Sequence, residues 1–191
     1  MHNKKLAFVF AHPAAHELLV TGLIQSSNSH LLFVTQADSN APKSTYIAIA
    51  RDCLEELEFC QSLTFLGMSE IESYSRAFAG DFGFYEDYRN RILDWLDRIQ
   101  PDVVIGDAQE CYNFHHDLTR VLLDDALRDY SKKNPHVQNY EFANVSRTSD
   151  DLYSLITQKF PNSNTTLVHD LNEEQVEQKN RFFKWWAVEK R

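Results

Sequence analysis

"KLAFVFAHPAAHE" (Lys5–Glu17) runs from an apolar stretch, Leu6 to Ala11, straight into His12 and Pro13, then two alanines, His16 and Glu17. A continuous apolar run of this length fits a parallel strand covered by helices on both faces. Pro13 suits the first position of a following helix, where its missing N–H costs nothing. The next residues, "AAHELLVTGLIQSS", keep helical spacing, with Leu18, Leu19, Gly22 and Leu23 on one side. A strand that hands polar residues to a helix start marks the carboxyl rim of an α/β sheet, where ligands bind. Ala14 and Ala15, in the middle of that exit, can neither ligate nor catalyse.

Outward from this stretch the alternation repeats. Strands are predicted over His30–Ala37, Leu63–Met68, Asp102–Ala108, Asn139–Val145 and Thr165–Leu171. Helices are predicted over Thr45–Leu63, Tyr85–Gln100 (stopped by Pro101), Leu118–Lys133 and Asp150–Phe160. A closing helix follows from Asn172, which is placed to cap it. Ile71–Ala79 shows no pattern, and Gly80 and Gly83 mark a turn. Strands separated by helices imply βαβ units. The expected architecture is one α/β domain over residues 1–191, Rossmann-like and three-layered, with a mostly parallel sheet of about five or six strands.

Composition narrows the function classes. The chain of 191 residues is 43% hydrophobic and 25% charged, as expected for one globular domain. Its 28 acidic against 19 basic residues give a net charge of −9, and no basic stripe is present, which argues against nucleic acid as a partner. The three cysteines, Cys53, Cys60 and Cys111, form no CxxC pair and fit a reducing compartment. No apolar run spans a bilayer and no signal peptide precedes the first strand, so a cytoplasmic location is expected. There is no GxGxxG or Walker pattern to support a nucleotide cofactor. "FFKWW" (Phe182–Trp186) on the closing helix reads as core or interface, which leaves room for a homo-oligomer.

Two strand exits carry the chemistry. The first offers His12, His16 and Glu17. His12 and His16 lie about one helical turn apart, a spacing that lets two imidazoles converge on a zinc-like ion. Taken alone, that pair reads more simply as a helix cap with solvated neighbours. The second exit, "GDAQECYNFHHDLTR" (Gly106–Arg120), gathers Asp107, Glu110, Asn113, His115, His116 and Asp117. Capping is again the simple alternative, with Asp117 a favourable first-turn acid. Four of the eight histidines fall in these two segments. Both exits should open on one rim of the sheet, which favours a shared polar site.

These residues resemble the zinc-dependent N-acetylglucosaminyl de-N-acetylase superfamily, the LmbE-like or PIG-L-like family. That family carries "AHPDDE" after its first strand and "HPDH" after a later strand of the "PDVV" type. Here the matching segments are "AHPAAHE" (Ala11–Glu17) and "QPDVVIGD" (Gln100–Asp107) followed by "NFHHDLTRVLLDDAL". Near the end, "VHDLNEEQVEQKNRFF" is similar to the strand-helix pattern that closes the family's domain.

The resemblance implies a Rossmann-like fold, a divalent metal such as zinc, and hydrolysis of an N-acylated amino sugar or a related small polar metabolite. It places His12 at the first metal histidine and His116 at the second. Ala14 stands where the family has its general-base aspartate, and Ala15 where it has its metal-binding aspartate. Asn113 falls where a histidine stabilises the oxyanion. A rearranged site would take His16 as the replacement ligand, with Glu17, Asp107, Glu110 or Asp117 as base and Asn113 as oxyanion donor. The competing expectation is a catalytically inactive homologue that binds a sugar or a protein partner through the same crevice.

Overall fold

Residues Leu6 to Phe10 have no solvent exposure, because the strand they form stands in the middle of the sheet. The structure is a computed structural model and describes residues 4–13, 20–25, 28–37, 45–56, 60–109, 111, 113–142, 146–147, 153–154 and 168–189. Its elements are β1 (Lys5–Phe10), α1 (Thr21–Gln25), β2 (Asn28–Thr35), α2 (Thr45–Glu56) and β3 (Ser62–Met68). They continue with α3 (Glu70–Ala79), α4 (Phe82–Ile99), β4 (Val103–Asp107), α5 (Phe114–Lys133) and β5 (Gln138–Phe142). A two-residue antiparallel ladder of β6 (Ser146–Arg147) with β7 (Tyr153–Ser154) and the closing helix α6 (Glu173–Glu189) complete it.

The main sheet has the order β3-β2-β1-β4-β5, with every pair parallel. The chain moves outward from β1 to β3, then returns to the other side of β1 with β4. The direction of winding therefore reverses between β1 and β4, and in such sheets a crevice opens there beyond the strand ends.

Alternate side chains of each strand feed two cores. Leu6, Phe8, Phe10, Leu31 and Phe33 face one layer, where Ile24 of α1, Leu54 of α2 and Phe182 of α6 complete the cluster. Ala7, Val9, Leu32 and Val104 face the other, against Trp95 of α4 and Leu123 of α5. This is the three-layer arrangement the sequence implies. Phe182 is core, as expected for part of "FFKWW", whereas Phe183 is exposed.

Gly106 sets how closely α5 lies on β4. A Cβ there would stand 2.6 Å from Leu123 Cδ2 of α5, so only a bare backbone lets the helix settle at this depth.

Several elements differ from the expectation. Ile71–Ala79 is helical, within α3. Its apolar residues Ile71, Tyr74 and Phe78 are exposed and its buried residues, Glu70 and Ser73, are polar, so no apolar face exists for the pattern to report. α5 begins at Phe114, four residues before the predicted start, because Asn113 caps it. Val168–Asp170 is not a strand. Within the predicted helix Asp150–Phe160, the described pair Tyr153–Ser154 is a strand, and the other residues lie outside the described ones. Asn172 caps α6 as expected: its Oδ1 accepts from the Gln175 N–H at 2.8 Å, and Gln175 Oε1 accepts from the Asn172 N–H at 3.0 Å.

Candidate functional site

The ends of β1 and β4 are tied together before either loop begins. Asp107, the last residue of β4, is fully buried, and its Oδ2 accepts the Ala11 N–H at 2.6 Å. Ala11 O in turn accepts the Thr35 N–H at 2.7 Å, which binds the end of β2 to the same rim. His12 therefore leaves the sheet from a backbone held on both sides.

His12 and the first turn of α5 meet beyond the ends of β1 and β4. His12 Nε2 lies 3.3 Å from His116 Nε2, with ring centroids 5.0 Å apart and planes at 61°. His12 is 9% exposed and His116 1%. On its other side His12 Nδ1 lies 2.8 Å from Glu70 Oε1, and the same oxygen accepts the Thr35 hydroxyl at 2.8 Å. A carboxylate has no proton to give, so the His12 Nδ1 carries the N–H and its Nε2 presents a lone pair toward His116.

Glu70, the first residue of α3, is 1% exposed, and sequence reading did not single it out. One signal pointed to the helix start: the Ser69-x-x-Glu72 spacing of a capping box, in which Ser69 Oγ accepts the Glu72 N–H at 3.2 Å.

His115 takes a different path. Its Nε2 lies 2.8 Å from Ser73 Oγ, one turn along α3 from Glu70, while its Nδ1 stands 4.0 Å from Glu70 Oε1. The Ser73 hydroxyl donates to the Glu70 carbonyl at 2.8 Å, so it accepts from the His115 Nε2–H. Tyr74 and Phe114 pack edge-on against the ring at 4.8 and 5.2 Å. Burial holds the His115 pKa below its usual value, against the opposing pull of Glu70. His115 is thus a neutral strut between α3 and α5.

The other sequence candidates are placed as follows. Asn113 Oδ1 accepts the His115 N–H at 2.9 Å, which leaves the Asn113 Nδ2 as its donor. Asp117, half-buried, accepts the Cys111 N–H on Oδ1 at 3.1 Å. Cys111 itself is exposed and has φ 54°, a left-handed conformation uncommon for a residue with a side chain. Ala37, after β2 on the same rim, shares it at φ 55°. His16, Glu17 and Glu110 lie outside the described residues.

The donor set bears on the metal the sequence suggested. Among the described residues no group of three or more His, Cys, Asp and Glu side chains is disposed to hold an ion. The pair of nitrogens does fit two corners of a zinc site. Nitrogens about 2.0–2.1 Å from one tetrahedral ion stand about 3.3–3.4 Å apart, and the His12 and His116 Nε2 atoms are separated by 3.3 Å.

No family model matches the sequence, and no curated relative matches it. Solved structures do match in fold. A deacetylase of the teicoplanin biosynthesis pathway superposes with a TM-score of 0.67 at 13% identity, covering 96% of this chain and 84% of that one. The zinc-inhibited form of teicoplanin deacetylase Orf2 gives 0.64 at 13% identity, over 96% and 84%. The N,N'-diacetylchitobiose deacetylase from Pyrococcus horikoshii gives 0.60 at 15% identity, over 97% and 70%. The likeness falls on proteins described as deacetylases, and at these identities it shows the fold alone.

Proposed function

We propose that the chain is a metal-dependent hydrolase of the N-deacetylase type, acting on an N-acylated amino sugar or a related small polar metabolite. The observation that carries this reading is the facing pair of His12 and His116 Nε2 atoms, 3.3 Å apart at the switch point of the sheet. Among the deacetylases of similar fold, one is named for N,N'-diacetylchitobiose, which supports the substrate class, and one is described in a zinc-inhibited form, which supports a site able to bind a divalent ion.

His12 and His116 would hold zinc or another divalent metal, with His16, four residues on in the sequence, as the third ligand. Such an ion supplies Lewis acidity and lowers the pKa of water bound to it. The chain's own groups do the rest. Asp107 has no exposed surface and spends Oδ2 on Ala11, so its part is to lock the rim. Asp117 is half-buried and reaches solvent, which suits it to take the proton of the attacking water, with Glu17 as the other carboxylate for that task. Asn113 Nδ2 is free of the cap that engages Oδ1 and can donate to a developing oxyanion.

Ala14 and Ala15 favour a second reading, a silent crevice that binds a sugar or a protein partner. In it, the 3.3 Å contact is an N–H···N hydrogen bond from His116 to His12. Elemental analysis of protein purified without chelator separates the two readings. About one equivalent of metal, lost in His12→Ala and His116→Ala, is expected, together with metal-dependent turnover on a panel of N-acetylated sugars. Asp117→Asn should then slow turnover by about 10²–10⁴-fold with the metal retained. Protein that neither takes up zinc at neutral pH nor turns over any of the panel would establish the silent crevice.

A further inference from the structure

We propose that the first turn of α3 is the element that pre-sets the histidine pair: Glu70 is the positioning residue for His12, and Ser73 fixes the α5 side through His115. The inference rests on the metal-site reading above for its consequence, and on contacts within the chain for its substance.

Three separate elements converge on this single turn. Glu70 Oε1 takes the His12 Nδ1–H from the exit of β1 and the Thr35 hydroxyl from the end of β2, each at 2.8 Å. Ser73, three residues on and therefore on the same face, takes the His115 Nε2–H at 2.8 Å. Glu70 is 1% exposed and Ser73 fully buried, while their helical neighbours Ile71, Glu72 and Tyr74 are exposed. The one buried pair of α3 is thus polar and turned toward the two histidines. Burying a carboxylate in that place is costly unless donors meet it, and His12 and Thr35 do so.

The consequence is a fixed tautomer. An imidazole left without the Glu70 acceptor can place its proton on either nitrogen, and half of its neutral forms would then present N–H rather than a lone pair to the crevice. With Glu70 in place, the His12 Nε2 lone pair faces His116 before any ligand arrives. α3 is itself anchored, since the Tyr85 hydroxyl of α4 donates to the Ser73 carbonyl at 2.5 Å.

Two readouts test this. Imidazole nitrogen shifts of the metal-free protein should report His12 as the Nδ1–H tautomer. Glu70→Ala should move it toward the Nε2–H form. Zinc affinity, measured by chelator competition, should weaken by about 10- to 100-fold in Glu70→Ala. Glu70→Gln keeps the shape and one acceptor oxygen. It should therefore retain the tautomer more fully and lose less affinity, which guards against a variant that does not fold. A folded Glu70→Ala with unchanged His12 shifts and unchanged zinc affinity would overturn the proposal, as would a Glu70→Gln that binds zinc as tightly as the parent. If the parent protein binds no zinc, the metal reading fails, but the tautomer measurement still decides the role of Glu70.

Discussion

Gly106 and Cys60 each turn a local environment into a measurable difference. Adding one methyl at Gly106 places it 2.6 Å from Leu123 Cδ2, inside a core where Leu123 has no exposure and little room to yield. Gly106→Ala should lower the unfolding free energy by about 1–3 kcal/mol, read as a shifted urea midpoint; an unchanged midpoint would show that α5 retreats freely. Burial, with the Glu55 charge adding to it, pushes the Cys60 thiol up to about 11. The thiolate is the reactive form, so iodoacetamide at neutral pH should modify exposed Cys111 well before Cys60. Mass spectrometry of the time course checks this, and equal labelling would show that the Cys60 environment opens in solution. At this scale, His12 and His116 were legible because an imidazole at a strand exit is conspicuous in sequence. Glu70 was not, because an acid beside other acids on an exposed-looking segment gives no hint that one of them turns inward.

At the scale of the element, α3 shows why apolar periodicity can miss a helix. Most of its surface faces solvent, and it is held by its ends and by pairs along its length. Ser69 caps the start, Gly80 closes the end in a left-handed conformation, and Arg76 pairs with Glu72. A helix built this way leaves its record in capping residues rather than in a hydrophobic stripe. Ser69→Ala should cost about 1 kcal/mol of stability by denaturant titration, and a variant as stable as the parent would mean that packing of Glu70 and Ser73 alone sustains the turn. The strands posed no such difficulty. β1, β2 and β4 are buried on both faces, so each appears in sequence as an unbroken apolar run between turn signals. The edge strand β5 is half-exposed, yet its start was read to within one residue, Asn139 against Gln138; residues 143–145 of the predicted span lie outside the described ones.

For the molecule as a whole, two imidazoles, His115 buried and His30 half-buried, tie stability to acidity. Burial lowers the pKa of His30 below 6.5, with the nearby Lys5 charge adding to it, and burial does the same for His115. Below 6.5 the unfolded chain takes up protons that these two sites in the folded chain refuse, so folding stability falls with pH across that window. The metal-free protein should therefore keep its full stability above 6.5 and lose part of it on going from about pH 7.5 to about pH 5.5. Urea midpoints that rise over this interval would contradict the assignment. That the sheet is parallel was also within reach of the sequence, since strands alternating with helices imply βαβ units; the strand order was not. The meeting of a third element, α3, with both strand exits was not, because it depends on side chains more than fifty positions from either partner's loop in one direction and about forty in the other.

Phe182 of α6 closes the same cluster that Phe8 of β1 opens, although the whole sheet is made in between. A ribosome adding about 5–20 residues per second would finish the first strand roughly 10–35 s before it supplies the ring that covers it. Throughout that interval α1 and α2 alone cover that face of the nascent sheet, and the part left to Phe182 stays an open apolar surface, a ready client for a chaperone.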